Sequence, residues 1–183
     1  QMPFPGPVGR LPARNTTGVY RRQLAIPAAW KRQQVVLHVA GAESVHMVYV
    51  AGRFVGYGTD SRLPSEYDIT DFVTPGGTVD LAVVVVRYSA HSYVEDQDQW
   101  WMAGLHRSVH IEARTPVHIA DVRCDADLEL ATGTGVLQVV TEVGFAVEPT
   151  AGHSVRVTLR GPTGKQVGKP SVLPVPHAFA APY

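Results

Sequence analysis

Residues 45–58 read VHMVYVAGRFVGYG, and this stretch decides the fold class. The β-branched and aromatic run Val45–Val50 alternates imperfectly and is typical of a strand buried on both faces. Ala51 and Gly52 then mark a tight turn, and a second strand-like run begins at Arg53. Two such runs separated by two turn residues predict a β-hairpin.

The rest of the chain repeats this pattern. Short β-branched runs are bounded by turn residues, among 17 Gly and 14 Pro. Their spacing of roughly ten residues predicts an all-β sandwich. A turn is expected at Thr74–Thr78, and residues 65–72 form either a short helical turn or coil. The predicted strands lie near residues 18–26, 34–40, 46–50, 53–58, 80–88, 108–113, 118–127, 136–147, 154–160 and 165–173.

The character of the chain changes around Arg114–Pro116. All three tryptophans precede this point, and the strands after it are plainer and rich in valine. We therefore predict one domain over residues 1–115 and a second over 116–183. The second is short for a complete immunoglobulin-like domain of ~100 residues, so we expect it to be truncated.

Composition excludes several classes of protein. The formal net charge is +0, which argues against nucleic acid or an anionic membrane as the main partner, since both need a concentrated positive surface. Cys124 is the single cysteine, expected to be a part-buried strand thiol, and fits a reducing compartment. No apolar run approaches the ~20 residues of a membrane helix, and no signal peptide is visible. These observations predict a cytoplasmic location.

The segment with the most chemistry is Ser89–Trp101, SAHSYVEDQDQWW, which we call the acidic loop. Carboxylates close to indoles suit a site that binds a hydroxylated ligand or a hard cation. In an extended segment Asp96 and Asp98 would project to one side, ~6.5 Å apart between Cα atoms. A glycosidase pair must instead flank the anomeric centre, so we expect a binding role and no catalytic residue here. The alternative is that Glu95, Asp96 and Asp98 cap turns and pair with Arg107 and Arg87.

The paired tryptophans that close the acidic loop could form a platform for stacking on a sugar. If the segment were a strand, Trp100 and Trp101 would point to opposite faces. One would then belong to the core and the other to a site or interface.

Three motifs in order resemble glycoside hydrolase family 2. Residues 17–22, TGVYRR, with Pro27 and Trp30, are similar to the opening strand of its sugar-binding domain. Residues 53–70, RFVGYGTDSRLPSEYDIT, look like that domain's most recognisable segment. Residues 93–100, YVEDQDQW, with Gly104 and Arg107, resemble the signature loop of large bacterial β-galactosidases.

The resemblance implies a jelly-roll sandwich followed by part of an immunoglobulin-like sandwich, at the N-terminal side of a retaining β-galactosidase. The catalytic glutamates and Mg²⁺ would then belong to a downstream (β/α)8 barrel of the same chain, and this segment alone would be inactive. Asp96 matches the family's galactosyl- and sodium-binding aspartate. Asp98 is the second choice, and Trp100 would also contact substrate.

The family's upstream asparagine would lie before Gln1. The parent could be a homo-oligomer, and its sugar preference is left open by the resemblance, since relatives act on glucuronides and mannosides. The alternative function is a free-standing, non-catalytic carbohydrate-binding module.

The sequence departs from the family pattern at three places. Ala51 stands where the turn usually has Asn, Ala90-His91 replaces the usual Asp-Gly, and Trp101 replaces the usual Arg. The first affects turn chemistry, because Asn tolerates φ > 0 and Ala does not. The other two lie in the acidic loop and bear on substrate preference.

Overall fold

The computed structural model describes residue 4 and residues 6–176, and these residues are almost entirely β structure with short connections. The chain divides into two compact units, residues 1–114 and 115–183. The segment before Phe4, next to which the upstream asparagine was expected, and the end of the second predicted domain, residues 177–183, lie outside the described residues.

The first unit contains nine strands and three short helices within its described residues. The strands are β1 (Thr17–Ala25), β2 (Gln34–Val39), β3 (Ala42–Glu43), β4 (Val45–Val50), β5 (Arg53–Gly58), β6 (Ser65–Asp68), β7 (Thr78–Val86), β8 (Gly104–Leu105) and β9 (Val109–Arg114). The helices are 3-10 turns at Ala28–Trp30 and Thr70–Phe72 and the one-turn helix α1 (His91–Val94).

Two antiparallel sheets form the sandwich of the first unit. One has the order β1-β7-β4-β5, the other has the order β6-β2-β9, and β3 pairs with β8 in a small third sheet. Side chains of β2, β4 and β7 meet in one hydrophobic core, which includes the fully buried Leu37, Val48 and Val83. This architecture confirms the predicted all-β sandwich.

The hairpin predicted from residues 45–58 is present. Val50 pairs with Arg53, and the turn residues Ala51 and Gly52 have φ of 51° and 72°. Positive φ at both turn positions is the signature of a type I′ hairpin turn. The expectation that Val45–Val50 is buried on both faces needs correction, because burial alternates along β4, with one face fully buried and the other half-buried.

We expected residues 65–72 to be a helical turn or coil, but only the second part of this segment fits that expectation. Ser65–Asp68 forms the edge strand β6, in which only Tyr67 is buried, and a 3-10 turn follows at Thr70–Phe72. The turn at Thr74–Thr78 is confirmed by the bond from Gly77 N to the Thr74 carbonyl, 2.9 Å.

The second unit contains two antiparallel hairpins in its described residues. They pair β10 (Val117–Glu129) with β11 (Thr134–Phe145), and β12 (Ser154–Arg160) with β13 (Gln166–Pro174). Cys124 lies exposed on β10, so the prediction of a part-buried thiol is wrong. None of the described helices is long and apolar enough to cross a membrane.

Candidate functional site

The start of the acidic loop is fixed to the sandwich by one asparagine side chain. Asn15 Nδ2 donates to the Tyr88 carbonyl at 2.7 Å, and Tyr88 N donates back to Asn15 Oδ1 at 3.0 Å. The guanidinium of Arg87 lies 4.9 Å from the centre of the Tyr88 ring. Just after β7, both main-chain hydrogen-bonding groups of Tyr88, its N–H and its carbonyl, are therefore held by Asn15.

The first half of the acidic loop is a helical turn and not an extended segment. His91 N donates to Ser89 Oγ at 3.2 Å, and Ser89 N donates to Ser92 Oγ at 3.1 Å. Ser92 is fully buried, and the Tyr93 hydroxyl donates to the Arg10 carbonyl. These serines satisfy main-chain N–H groups at the start of α1, as capping residues do.

Glu95 ends this turn and joins the loop to a neighbouring segment. Its carboxylate accepts hydrogen bonds from Ser61 N at 2.8 Å and Ser61 Oγ at 2.5 Å. Ser61 is 1% exposed, so both bonds are shielded from water. Hydrogen bonds to an ionised acceptor are about twice as strong as neutral ones. Glu95 is thus an anchor of the loop.

The five residues from Glu95 to Gln99 form two successive three-residue turns that share Gln97. Gln97 N donates to the Glu95 carbonyl at 2.9 Å, and Gln99 N donates to the Gln97 carbonyl at 2.8 Å. Bonds between residues two apart define γ-type turns, here centred on Asp96 and Asp98. The Gln99 and Gln97 side chains are joined by a 3.1 Å bond, and Asp96 and Asp98 are exposed.

The far end of the acidic loop is anchored by Arg62 and Glu43. Arg62 Nη2 donates to the Trp100 carbonyl at 3.0 Å and lies 3.1 Å from Glu43 Oε2. The same carboxylate accepts a bond from Met102 N at 2.9 Å. Glu43 is only 3% exposed, and a buried carboxylate is tolerated where it is paired and hydrogen-bonded, as here.

Polar groups around Ser61 and Arg62 hold these two residues in place. Asp60 Oδ1 accepts bonds from Arg62 N and Leu63 N, both 2.7 Å. The main-chain N–H groups of Leu63 and Arg62 hold the pKa of the Asp60 carboxyl below its usual value. Arg107 Nη1 donates to the Arg62 carbonyl at 2.9 Å.

His106 completes this support through one ring nitrogen. His106 Nε2 lies 2.8 Å from the Ser61 carbonyl and 3.4 Å from Arg62 Nη1. A carbonyl can only accept, so Nε2 carries the proton and donates to Ser61, and the longer contact with Arg62 is not a hydrogen bond.

One conditional and one alternative interpretation of the acidic loop do not hold for Trp100, Trp101 and Glu95. Trp100 and Trp101 are not on a strand; Trp100 is 86% exposed and Trp101 is half-buried in a coil segment. The pairing of Glu95 with Arg107 or Arg87 does not occur, because Glu95 binds Ser61 and Arg107 binds the Arg62 carbonyl.

The structure brings the three predicted site residues together on one short stretch. Asp96, Asp98 and Trp100 all lie exposed within the second half of the acidic loop. Their supporting residues Glu43, Ser61 and Arg62 were missed by sequence reasoning. Ser61 and Arg62 belong to the recognised segment 53–70, but neither that resemblance nor the polarity of Glu43 shows which groups these side chains bind.

Other features of the described residues lie away from this loop. No group of three or more His, Cys, Asp or Glu residues that could hold a metal ion exists within residues 4 and 6–176. A cavity of about 690 Å³ lies in the second unit, lined by apolar side chains such as Val143, Phe145 and Val157. It shares no residue with the acidic loop.

Residues 1–116 match the family model described as glycosyl hydrolases family 2, sugar binding domain. The chain belongs to glycoside hydrolase family 2. This family 2 chain is 39% identical over 171 residues to a β-galactosidase of Aeromonas hydrophila, covering 90% of the chain and 17% of that protein. It is 35% identical over 164 residues to a β-galactosidase of Psychromonas ingrahamii, covering 87% of the chain and 16% of that protein.

Solved structures related to this family 2 chain share its fold. An FMN-binding β-glucuronidase from Faecalibacterium prausnitzii superposes with a TM-score of 0.74 at 22% identity, covering 88% of the chain and 26% of the other. A Bacteroides uniformis β-glucuronidase gives a TM-score of 0.70 at 23% identity, covering 88% and 20%. At these identities the likeness establishes the sandwich architecture alone.

Proposed function

We propose that this chain is the N-terminal sugar-binding region of a retaining β-galactosidase that hydrolyses terminal β-D-galactosides. The observation that carries the proposal is the 39% identity to a β-galactosidase over 90% of the chain. The chain spans only 17% of that relative's length, and the proposal places the catalytic groups in sequence beyond this segment. Its partner is then a catalytic barrel of the same polypeptide, and the parent protein could be a homo-oligomer.

The acidic loop supplies the substrate contacts in this proposal. Asp96 and Asp98 offer exposed carboxylate oxygens, which accept hydrogen bonds from sugar hydroxyls. Gln97 and Gln99 project to a common side, so we infer that the alternate residues Asp96 and Asp98 share another. Trp100, 86% exposed, offers an apolar ring face on which a sugar can pack.

Asp96 is also the proposed ligand of a sodium ion. Hard cations bind oxygen ligands, and a carboxylate suits them chemically. No group of three or more His, Cys, Asp or Glu side chains lies together within the described residues, and in this proposal Asp96 contributes to a shell completed elsewhere. Mg²⁺ is proposed only for the parent catalytic domain.

The test uses the full-length protein with galactoside and glucuronide substrates. Asp96→Asn keeps the shape and removes the charge, so kcat/KM for the galactoside and its response to Na⁺ should fall together. Asp98→Asn tests the second choice, and Asp121→Asn, an exposed aspartate in the second unit, is the matched control. Unchanged activity and sodium response in both loop variants would refute the site assignment, and preference for the glucuronide would refute the substrate class.

A separate titration addresses the non-catalytic alternative. The isolated chain should bind galactose only very weakly, because half of the site is missing from it. Saturable binding below millimolar by residues 1–183 alone would instead support a free-standing carbohydrate-binding module.

A further inference from the structure

Two consecutive residues hold both ends of the exposed part of the acidic loop. Ser61 binds the Glu95 carboxylate, and Arg62 binds the Trp100 carbonyl at 3.0 Å. The stretch between these two anchors is Asp96–Gln99, the exposed tetrapeptide. It is thereby closed at its base by a single dipeptide of a neighbouring segment.

We propose that Arg62, held by the buried Glu43, is the positioning residue that fixes the exposed tetrapeptide and with it Asp96 and Asp98. The functional part of this proposal rests on the proposed function of the acidic loop.

Arg62 makes two contacts that we expect a lysine to reproduce only in part. Arg62 Nη2 serves the Glu43 carboxylate at 3.1 Å and the Trp100 carbonyl at 3.0 Å at the same time. The guanidinium is a rigid planar fork with five donors, whereas an ammonium is a compact point charge on a flexible stem. Both contacts come from one nitrogen, so the reach and rigidity of the side chain decide whether a lysine can make them. Lysine has the charge to pair with Glu43, but its stem is shorter and its ammonium is not pre-organised, so we expect it to lose the bond to Trp100.

Glu43 fixes the acidic loop both directly and through Arg62. Its Oε2 accepts the Met102 N–H at 2.9 Å, two residues after the Trp100 carbonyl that Arg62 binds. Because Glu43 is 3% exposed and belongs to β3, its position is set by the sandwich. The main chain at the end of the acidic loop, just before β8, therefore has a fixed position.

A loop that is already ordered binds a ligand at a lower entropic cost. Ordering a flexible residue costs conformational entropy, so a tetrapeptide ordered only on ligand binding would weaken affinity considerably. Because the chain is anchored at Glu95 and Trp100, the exposed tetrapeptide is ordered when the protein folds and before any ligand binds. Misplacement of binding groups by about 1 Å can cost on the order of 100-fold in rate.

The experiment compares Arg62→Lys with Arg114→Lys in the full-length protein. Both variants replace an arginine that binds a glutamate in the first unit, but Arg114 pairs with Glu66 and touches no residue of the acidic loop. Amide hydrogen exchange of residues 96–103, with the Gln97 and Gln99 amides of the exposed tetrapeptide as the main reporters, measures the loop directly. The difference in acrylamide quenching between each variant and the parent protein, all in a Trp30→Phe background, reports on Trp100 and Trp101 independently, because tryptophans elsewhere in the full-length protein contribute equally to both.

For Arg62→Lys we expect exchange in residues 96–103 to rise by about tenfold or more, and KM for the galactoside to rise roughly 10–100-fold with a smaller change in kcat. Arg114→Lys should leave loop exchange, quenching and KM unchanged. Unaltered loop exchange in Arg62→Lys overturns the positioning role.

Glu43→Gln keeps an acceptor for Met102 N while it removes the charge that holds Arg62, and it serves as a second variant if Arg62→Lys folds poorly. Faster exchange around Trp100 in this variant supports the role, and unaltered exchange overturns it. Faster loop exchange with KM unchanged, together with unaltered Asp96→Asn and Asp98→Asn enzymes, would uphold the positioning role and refute the proposed function of the loop.

Discussion

The phenolic hydroxyl of Tyr67 lies 2.7 Å from Nε2 of His46 inside the sandwich of the first unit. His46 is 1% exposed and Tyr67 is 9% exposed, and their rings meet edge to face. His46 Nδ1 is buried and has no hydrogen-bond partner among the described residues. One contact thus joins β4 of the larger sheet to β6 of the other, and it has consequences for pH and for packing.

Stability should fall as the pH is lowered through the ordinary pKa of histidine. Burial lowers the pKa of His46 below 6.5, so the unfolded chain binds this proton more readily than the folded one. The contribution of His46 to the free energy of unfolding is therefore complete above pH 6.5, and it is lost as the pH falls below that value. Urea unfolding between about pH 8 and pH 5.5 measures the loss.

His46→Gln should flatten this pH dependence, whereas the exposed His110→Gln should keep it. The same slope in both variants would contradict the assignment to His46. The carboxyls whose pKa values are lowered act at more acidic pH, because the ordinary values of Asp60 and Glu66 are 3.8 and 4.5.

Gly58→Ala should destabilise the first unit by about 1–3 kcal/mol. A Cβ at this position would lie 2.7 Å from Ser65 Oγ and 2.9 Å from His46 Nε2, which the buried packing cannot accommodate without movement. Thermal unfolding measures the loss. Gly135→Ala on β11, where nothing lies within 4 Å of the added Cβ, is the control and should change stability by less than about 0.5 kcal/mol.

Ala51→Asn should stabilise the first unit by about 0.5–1 kcal/mol. Ala51 has φ of 51° and an exposed side chain, so the change acts on the backbone conformation alone. Asn populates the left-handed region more readily than Ala and favours the type I′ turn. Gly52→Ala, at φ of 72° with free space around it, should have the opposite sign in the same unfolding assay.

Glu66→Gln should cost at most about 1 kcal/mol, and less at high salt. Arg114 donates to both carboxylate oxygens of Glu66 at 2.8 and 2.6 Å, and so joins β9 to β6 across β2. Glu66 is 42% exposed, so water screens the pair. Urea unfolding at low and high salt measures the effect.

Asp125→Asn is the control for this prediction. It removes the exposed pair between Arg123 and Asp125, and we expect no measurable change in stability. A cost for Glu66→Gln that does not depend on salt would contradict an ion-pair origin.

The sequence by itself determined the elements whose pattern is local. Runs such as Gln34–Val39 and Arg53–Gly58 are β-branched or aromatic and end at turn residues, so their strands were predicted almost to the residue. The turn at Ala51 and Gly52 was predictable because its chemistry needs only two neighbours. Family membership likewise lay in the ordered motifs of residues 1–116.

The tertiary structure alone decided what depends on distant partners. The two-residue strands β3 and β8 exist only through their pairing with each other, and β6 buries a single side chain. None of these three strands therefore has a local signal in the sequence. α1, with four residues, is too short to show a helical period and is held by serine hydroxyls.

The acidic loop shows the same division. Its composition suggested a binding role and the family resemblance singled out Asp96, with Asp98 and Trp100 beside it. The anchors that hold them come from Glu43, Ser61 and Arg62, about 34 to 59 residues earlier in the chain. Hydrogen bonds between segments so far apart leave no periodic trace in the sequence. The sequence thus determined which groups the loop offers, and only the fold decided what holds them in place.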